Sequence, residues 1–270
     1  MAEISKWSAM IDHTPLEETR VDGIDGESQR QAKARPRVMM DITAAIASGI
    51  FSGRYIPGGT LPTENDLGVE YGVSRTVIRE ALKVLAAKGL VVTRPRIGTV
   101  VCEADNWNII DPQVLAWHAP HALDDTLFDA ILETRRAIEP LVACLAATRA
   151  TLREIADLEA AWQGMADAGD DLIRFAQSDI LFHRILYGAC HNPVFRQIGG
   201  MIDAALTFAL ETTATISSDR RTEAVHAHRE VVEALRIRDG EAARRAADRI
   251  LDLAARDLAS AKQRGRDGQP

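Results

Sequence analysis

The sequence predicts a mostly α-helical chain carrying one small β-hairpin, divided into a short N-terminal module and a larger all-helical bundle. Three observations predict it. Short helical patterns between residues 36 and 88 are cut by Gly53, Gly72 and Gly89 and followed by a β-branched hairpin pattern. From about residue 124 onward, apolar residues recur at helical spacing with no strand-like run and no internal repeat. Between the two lies EADNWNIIDPQVLAWHAP, punctuated by aromatics and proline, which reads as a linker.

Residues 1–33 are polar without a sustained period and are expected to form a flexible N-terminal tail. Pro36 suits the first turn of a helix, in which Val38, Ile42, Ile46 and Ile50 recur every four residues until Gly53. RYIPGGTLPTEN is turn-rich. Thr63 then caps a short helix, with Asp66 completing a capping box, and Gly72 stops it. Ser74 caps the next helix, whose apolar face is Val77, Ile78, Ala81, Leu82 and Leu85. LVVTRPRIGTVV reads as two strands about a turn containing Pro95 and Gly98. Helix, helix, tight turn, helix, hairpin is the order of a winged helix-turn-helix, here over residues 34–103. A linker at 104–120 follows, with room for a short seventh helix. The bundle spans 121–262, with helices expected near 124–149, 151–168, 170–190, 194–217, 221–238 and 241–262. Residues 263–270 are expected to be a disordered C-terminal tail.

The bulk numbers bound the function. The 270 residues are 46 % apolar and 26 % charged, ordinary values for two globular domains. No stretch reaches the roughly 18 apolar residues of a membrane span, and no signal pattern opens the chain. Cys102, Cys144 and Cys190 are odd in number and far apart, which suits a reducing cytoplasm rather than a disulfide framework. Net charge is −7, yet residues 34–103 hold nine Lys or Arg against six Asp or Glu. Within 74–96 the bases are Arg75, Arg79, Lys83, Lys88, Arg94 and Arg96, with Glu80 the only acid. An acidic chain with one basic module can bind DNA there and repel it elsewhere.

The second helix of such a module enters the major groove by its N-terminal residues, here Ser74, Arg75, Thr76 and Arg79. Arg75 and Arg79 share a helical face and can pair with guanine edges, while hydroxyls suit phosphate oxygens. Arg94, Arg96 and Gly98 in the wing, with Arg35 and Thr63, complete the expected DNA-binding set. A merely solvated charged face is the plain alternative, and the order of elements around these residues argues against it.

Polar residues intrude on three apolar helical stripes of the bundle. Arg135 sits among Phe128, Ile131, Ile138 and Val142; Asp179 and His183 sit among Leu172, Phe175, Phe182 and Leu186; His228 lines up with Val225, Val232 and Leu235. A buried charge is costly unless paired or ligating, so three intrusions on separate helices point to one shared polar cavity. A lone histidine of this kind is more often a hydrogen-bonded core residue; the argument rests on all of them together. A carboxylate with two imidazoles suits Zn, Mn, Ni or Fe, and the Arg135 guanidinium matches a ligand carboxylate. The same donors can in principle hold a hydrolytic metal. No general base, G-x-S-x-G nucleophile or phosphate-binding glycine loop accompanies them, so an enzyme is not expected.

LPTENDLGVEYGVSRTVIREALKVLAAKGLVVTRPRIGTVV closely resembles the DNA-binding motif of the GntR family: LP-x-E-x-x-L, GVSR-x-x-IREAL, L-x-x-x-GLV and GT-x-V stand at the expected spacing. The resemblance implies that Arg75 and Arg79 read bases or clamp phosphates and that Thr76 touches a phosphate. Asn65 stands where many members have arginine, and Arg96-Ile97 where many have glycine and a basic residue. Residues 121–262 resemble the FCD ligand-binding domain of the FadR subfamily, through E-x-R-x-x-x-EP at Glu133–Pro140, Asp179–His183 with HNPVF after it, and the segment from His228. That implies an effector site at Arg135, Asp179, His183 and His228, the last three as ligands of a divalent metal such as Zn, Ni or Mn. Ile250 falls where the family has a further histidine ligand. NWNIIDPQVLAWH and HNPVFRQI look most like the galactonate-operon repressor branch. The resemblance therefore implies a homodimeric repressor on a pseudo-palindromic operator, released by a sugar acid or another small organic acid. A metal-responsive regulator without an organic effector is the alternative.

Overall fold

The computed structural model describes the backbone of residues 26–118, 121, 127–212 and 218–267, and the side chains of 37–118, 121, 127–200, 202–203, 220–260 and 262–263. The chain forms two compact units, residues 1–38 and 39–270. Of the first, the described part is the N-terminal half of helix α1 (Gly26–Phe51). The tail expected at 1–33 thus lies outside the described residues as far as 25, and from Gly26 it is helical. Residues 27–35 are mostly Glu, Gln, Arg, Ala and Lys, strong helix formers with no apolar period to betray them. Pro36 sits inside α1 rather than at its start.

The second unit holds two hydrophobic cores. The smaller joins the C-terminal half of α1 to α2 (Glu64–Tyr71), α3 (Arg75–Ala87) and the hairpin β1 (Val91–Arg94) and β2 (Gly98–Val101). Ile46, Leu67, Ile78, Leu85 and Leu90 are fully buried in it. The capping signals read from the sequence are present. Thr63 and Asp66 form a reciprocal capping box, Ser74 accepts from Val77 N–H, and Gly72 closes α2 at φ +67°. The strands pair antiparallel from Val91 opposite Val101 to Arg94 opposite Gly98. A bridge from Thr60 to Val100 pins the turn-rich segment to the wing.

The larger core lies in a bundle of α5 (Leu127–Arg149), α6 (Leu152–Ala166), α7 (Leu172–Ala189), α8 (Pro193–Thr212), α9 (Ser218–Arg236) and α10 (Gly240–Asp267). Helix α5 packs against α7, α9 and α10, so polar residues on the inner faces of α5, α7 and α9 converge. The last helix runs to Asp267, so the C-terminal tail expected at 263–270 is helical up to that residue, and 268–270 lie outside the described residues.

The stretch expected as a linker contains a further helix, α4 (Pro112–His118), and is tightly held. Val114 belongs to the smaller core and its neighbour Leu115 to the larger. Lys88 Nζ lies 2.6 Å from Asp111, Trp107 Nε1–H donates to the Cys102 carbonyl at 3.0 Å, and His118 stacks on Phe51 at 4.5 Å. Gly89 makes this closeness available: it sits at φ +76°, and a Cβ there would come within 2.2 Å of the Asn106 carbonyl oxygen. Gly89→Ala is therefore expected to lower stability by about 1–3 kcal/mol, read as a lower urea midpoint at unchanged slope.

Candidate functional site

The face expected to read DNA is exposed. Ser74, Arg75, Thr76 and Arg79 lie at the start of α3 with exposed side chains, and Arg94, Arg96 and Gly98 are exposed on the wing. Thr63 is also exposed, but its hydroxyl is committed to Asp66 in the cap. Arg35 belongs to α1, and its side chain lies outside the described residues. Arg96 adopts φ +65°, a left-handed conformation that glycine tolerates best. Its place at the wing tip, where the motif usually has glycine, therefore keeps a cation at a conformational cost.

One partner of this face was missed by the sequence reading. Glu64 accepts from Arg75 Nε at 2.7 Å and from Arg79 at 2.9 and 3.2 Å. One carboxylate thus holds both arginines side by side. Their hydrogen bonds, Arg79 first and Arg75 second, draw the Glu64 pKa down to about 2. Glu64 is the acid of LP-x-E-x-x-L, so its signal was present, but nothing in the spacing said that it reaches α3. The pairing is solvent-exposed and therefore weak enough for phosphates or base edges to compete with it.

The bundle brings Arg135, Asp179, His183 and His228 together, all buried. Asp179 Oδ1 lies 3.0 Å from His228 Nε2 and 3.9 Å from His183 Nε2. The Asp179–His228 approach is close but misdirected, leaving His228 Nε2 without a hydrogen bond. On the far side of that ring, Nδ1 lies 2.7 Å from the Ala224 carbonyl. A carbonyl only accepts, so Nδ1 carries a proton, and the ring turns its Nε2 to a carboxylate. His183 turns its Nδ1 toward Glu139 Oε2 at 3.7 Å. His228 thus has a backing acceptor on one nitrogen and the shared centre on the other, the usual support of a metal-ligating histidine, whereas His183 Nδ1 makes no hydrogen bond. Ligand atoms of Asp179, His183 and His228 all fall within 4.8 Å of one another, so the donor set fits a small divalent ion.

Burial would raise the Asp179 pKa, but His228, His183 and Arg135 hold it at about 2. Burial pushes the His183 imidazole below its ordinary value against the pull of Glu139 and Asp179. Ile250, where the resemblance leads one to expect a ligand, is buried in the apolar core.

Arg135 differs from the open fork expected of it. Its Nε and Nη2 donate to Glu139 at 2.7 and 3.3 Å, a buried pair one helical turn apart. Burial works against the guanidinium charge, and Glu139 more than restores it. Glu139, the second acid of the E-x-R-x-x-x-EP motif, is the second buried acid of the site. Glu139→Gln keeps the shape and strands the Arg135 charge, and is expected to cost about 3–5 kcal/mol, read as a lower denaturation midpoint.

Comparison with known proteins agrees with both halves. Residues 40–101 match the gntR family of bacterial regulatory proteins, and residues 130–253 match the FCD domain. The galactonate operon transcriptional repressor of Escherichia coli (strain K12) is 32 % identical over 80 % of this chain and 95 % of its own. The uncharacterized HTH-type transcriptional regulator YieP of the same organism is 32 % identical over 83 % and 96 %. A solved structure of Lar, described as controlling expression of the Listeria monocytogenes agr system, shares the fold at 18 % identity. Its TM-score is 0.59, covering 88 % of this chain and 99 % of that one. The chain thus belongs to the GntR family, as a DNA-binding transcription regulator of the FadR type with an FCD domain.

Proposed function

We propose that this regulator is a repressor whose FCD domain binds a small hydroxylated carboxylic acid beside a divalent metal, and that binding releases the operator. The carrying observation is the buried set of Asp179, His183 and His228 beside the Arg135–Glu139 pair. With both imidazoles neutral, as ligation requires, Arg135, Glu139 and Asp179 leave the cavity one negative charge in excess. Asp179, His183 and His228 would hold a Zn, Ni or Mn ion, which supplies positive charge and an open position for oxygen ligands. The site then carries one positive charge in excess and favours an anion of one charge. Arg135 adds a donor for the same carboxylate, shared with Glu139. Likeness to the galactonate operon repressor supports a sugar acid as the effector.

On the DNA side, Arg75 and Arg79 are the base-reading or phosphate-clamping pair, with Ser74, Thr76, Thr63, Arg35 and the wing residues Arg94, Arg96 and Gly98 in support. Two chains present two recognition helices to a pseudo-palindromic operator. Helix α4 is the path between effector and DNA modules, because its adjacent residues are rooted in both cores. By linkage, operator DNA weakens effector binding by the factor that the effector weakens operator binding.

The test uses DNA selected by the protein from a random pool. Zn-loaded protein with D-galactonate should release it, while apo protein should release it poorly; release that is equal with and without metal, or absent with every sugar acid, would falsify the reading. Arg75→Ala with Arg79→Ala should abolish gel retention of the selected site. Glu64→Gln should free both arginines, raising affinity for unselected DNA and steepening its salt dependence by about one unit of slope or less.

A further inference from the structure

The stripe of polar residues on α7 does not end at His183. Tyr187 follows one turn later on the same helical face, roughly 6 Å along the axis. Its side chain is among the largest fully buried ones, and its hydroxyl has no hydrogen-bond partner among the described residues. Burial first, and then the charge of Glu139, push its pKa up. Its ring is pressed against α8, where Gly199 makes the fit: a Cβ there would lie 2.9 Å from Tyr187 Cγ. A phenylalanine would fill the same volume without burying an unsatisfied hydroxyl.

Glu139 adds the complementary group. Its Oε2 is the oxygen held more loosely by Arg135, at 3.3 Å, and it stands 3.7 Å from His183 Nδ1, which has no hydrogen bond. A buried hydroxyl without a partner thus follows His183 by one helical turn, and a carboxylate oxygen with spare capacity stands against the same imidazole. We infer that Tyr187 and Glu139 form a hydroxyl-binding subsite, one turn beyond the metal-ligand set, that selects polyhydroxylated acids over plain carboxylates. A ligand hydroxyl donates its one proton to Glu139 and accepts from Tyr187, meeting both groups at once. A trapped water satisfies the same valences but confers no ligand preference.

This inference rests on the effector reading, and its test separates the two. Full-length Zn-loaded protein is titrated calorimetrically with D-galactonate and with hexanoate, a chain of equal carbon count without hydroxyls. Wild type should prefer D-galactonate by about tenfold or more, as expected where a buried polar site loses its partner. Tyr187→Phe should lose that preference by about tenfold, leave hexanoate unchanged, and melt without ligand at or above the wild-type temperature. Equal D-galactonate affinity in the two proteins overturns the subsite and spares the effector reading. A wild type that binds D-galactonate no better than hexanoate overturns the subsite together with the preference for a hydroxylated acid. No binding of either acid by wild type overturns both. A variant that melts well below wild type shows a structural partner for the hydroxyl and overturns the subsite.

Discussion

A carboxylate and a guanidinium that cannot reach water must find their counter-charges inside the protein, and the bundle is organised around that requirement. Asp179 on α7 faces the imidazoles of His183 and His228; Arg135 and Glu139 on α5 answer each other. Stranding a buried charge costs several kcal/mol, a large share of what holds an ordinary domain folded. The three helices that carry these groups are therefore held in register by electrostatics as well as by the apolar side chains around them.

The exposed start of α3 follows the opposite logic. Its ionic contacts are exposed, so they are cheap to break and quick to exchange. Glu64 bridges Arg75 and Arg79 without removing them from water. It orders two long side chains in one place. Arg96 at the wing tip shows the same preference for charge over ease, in a backbone conformation that glycine would adopt more readily.

Most of the fold was legible because its signals are local. Thr63, Ser74, Gly72 and Gly89 mark helix ends through chemistry confined to a few residues, and the apolar spacing of Ile42, Ile46 and Ile50 names the buried face. What was missed is non-local or aperiodic. Residues 26–35 of α1 are helical by propensity alone, with no apolar stripe to reveal them. Glu64 meets Arg75 and Arg79 across a turn, and no spacing rule within one helix foretells it. In the cavity, Arg135, Asp179, His183 and His228 were visible as polar intruders on apolar stripes. Glu139 and Tyr187 were not, the first because it was read as part of a motif, the second because tyrosine on an apolar face looks like ordinary core.

Helix α4 is only seven residues long, yet Val114 and Leu115 are anchored in different cores. Neighbours joined by one peptide bond cannot separate, so neither core can come apart without dragging on a side chain of the other. The two modules are thereby tied into one cooperative melting unit, and amide protection in the wing rises or falls with the integrity of the bundle.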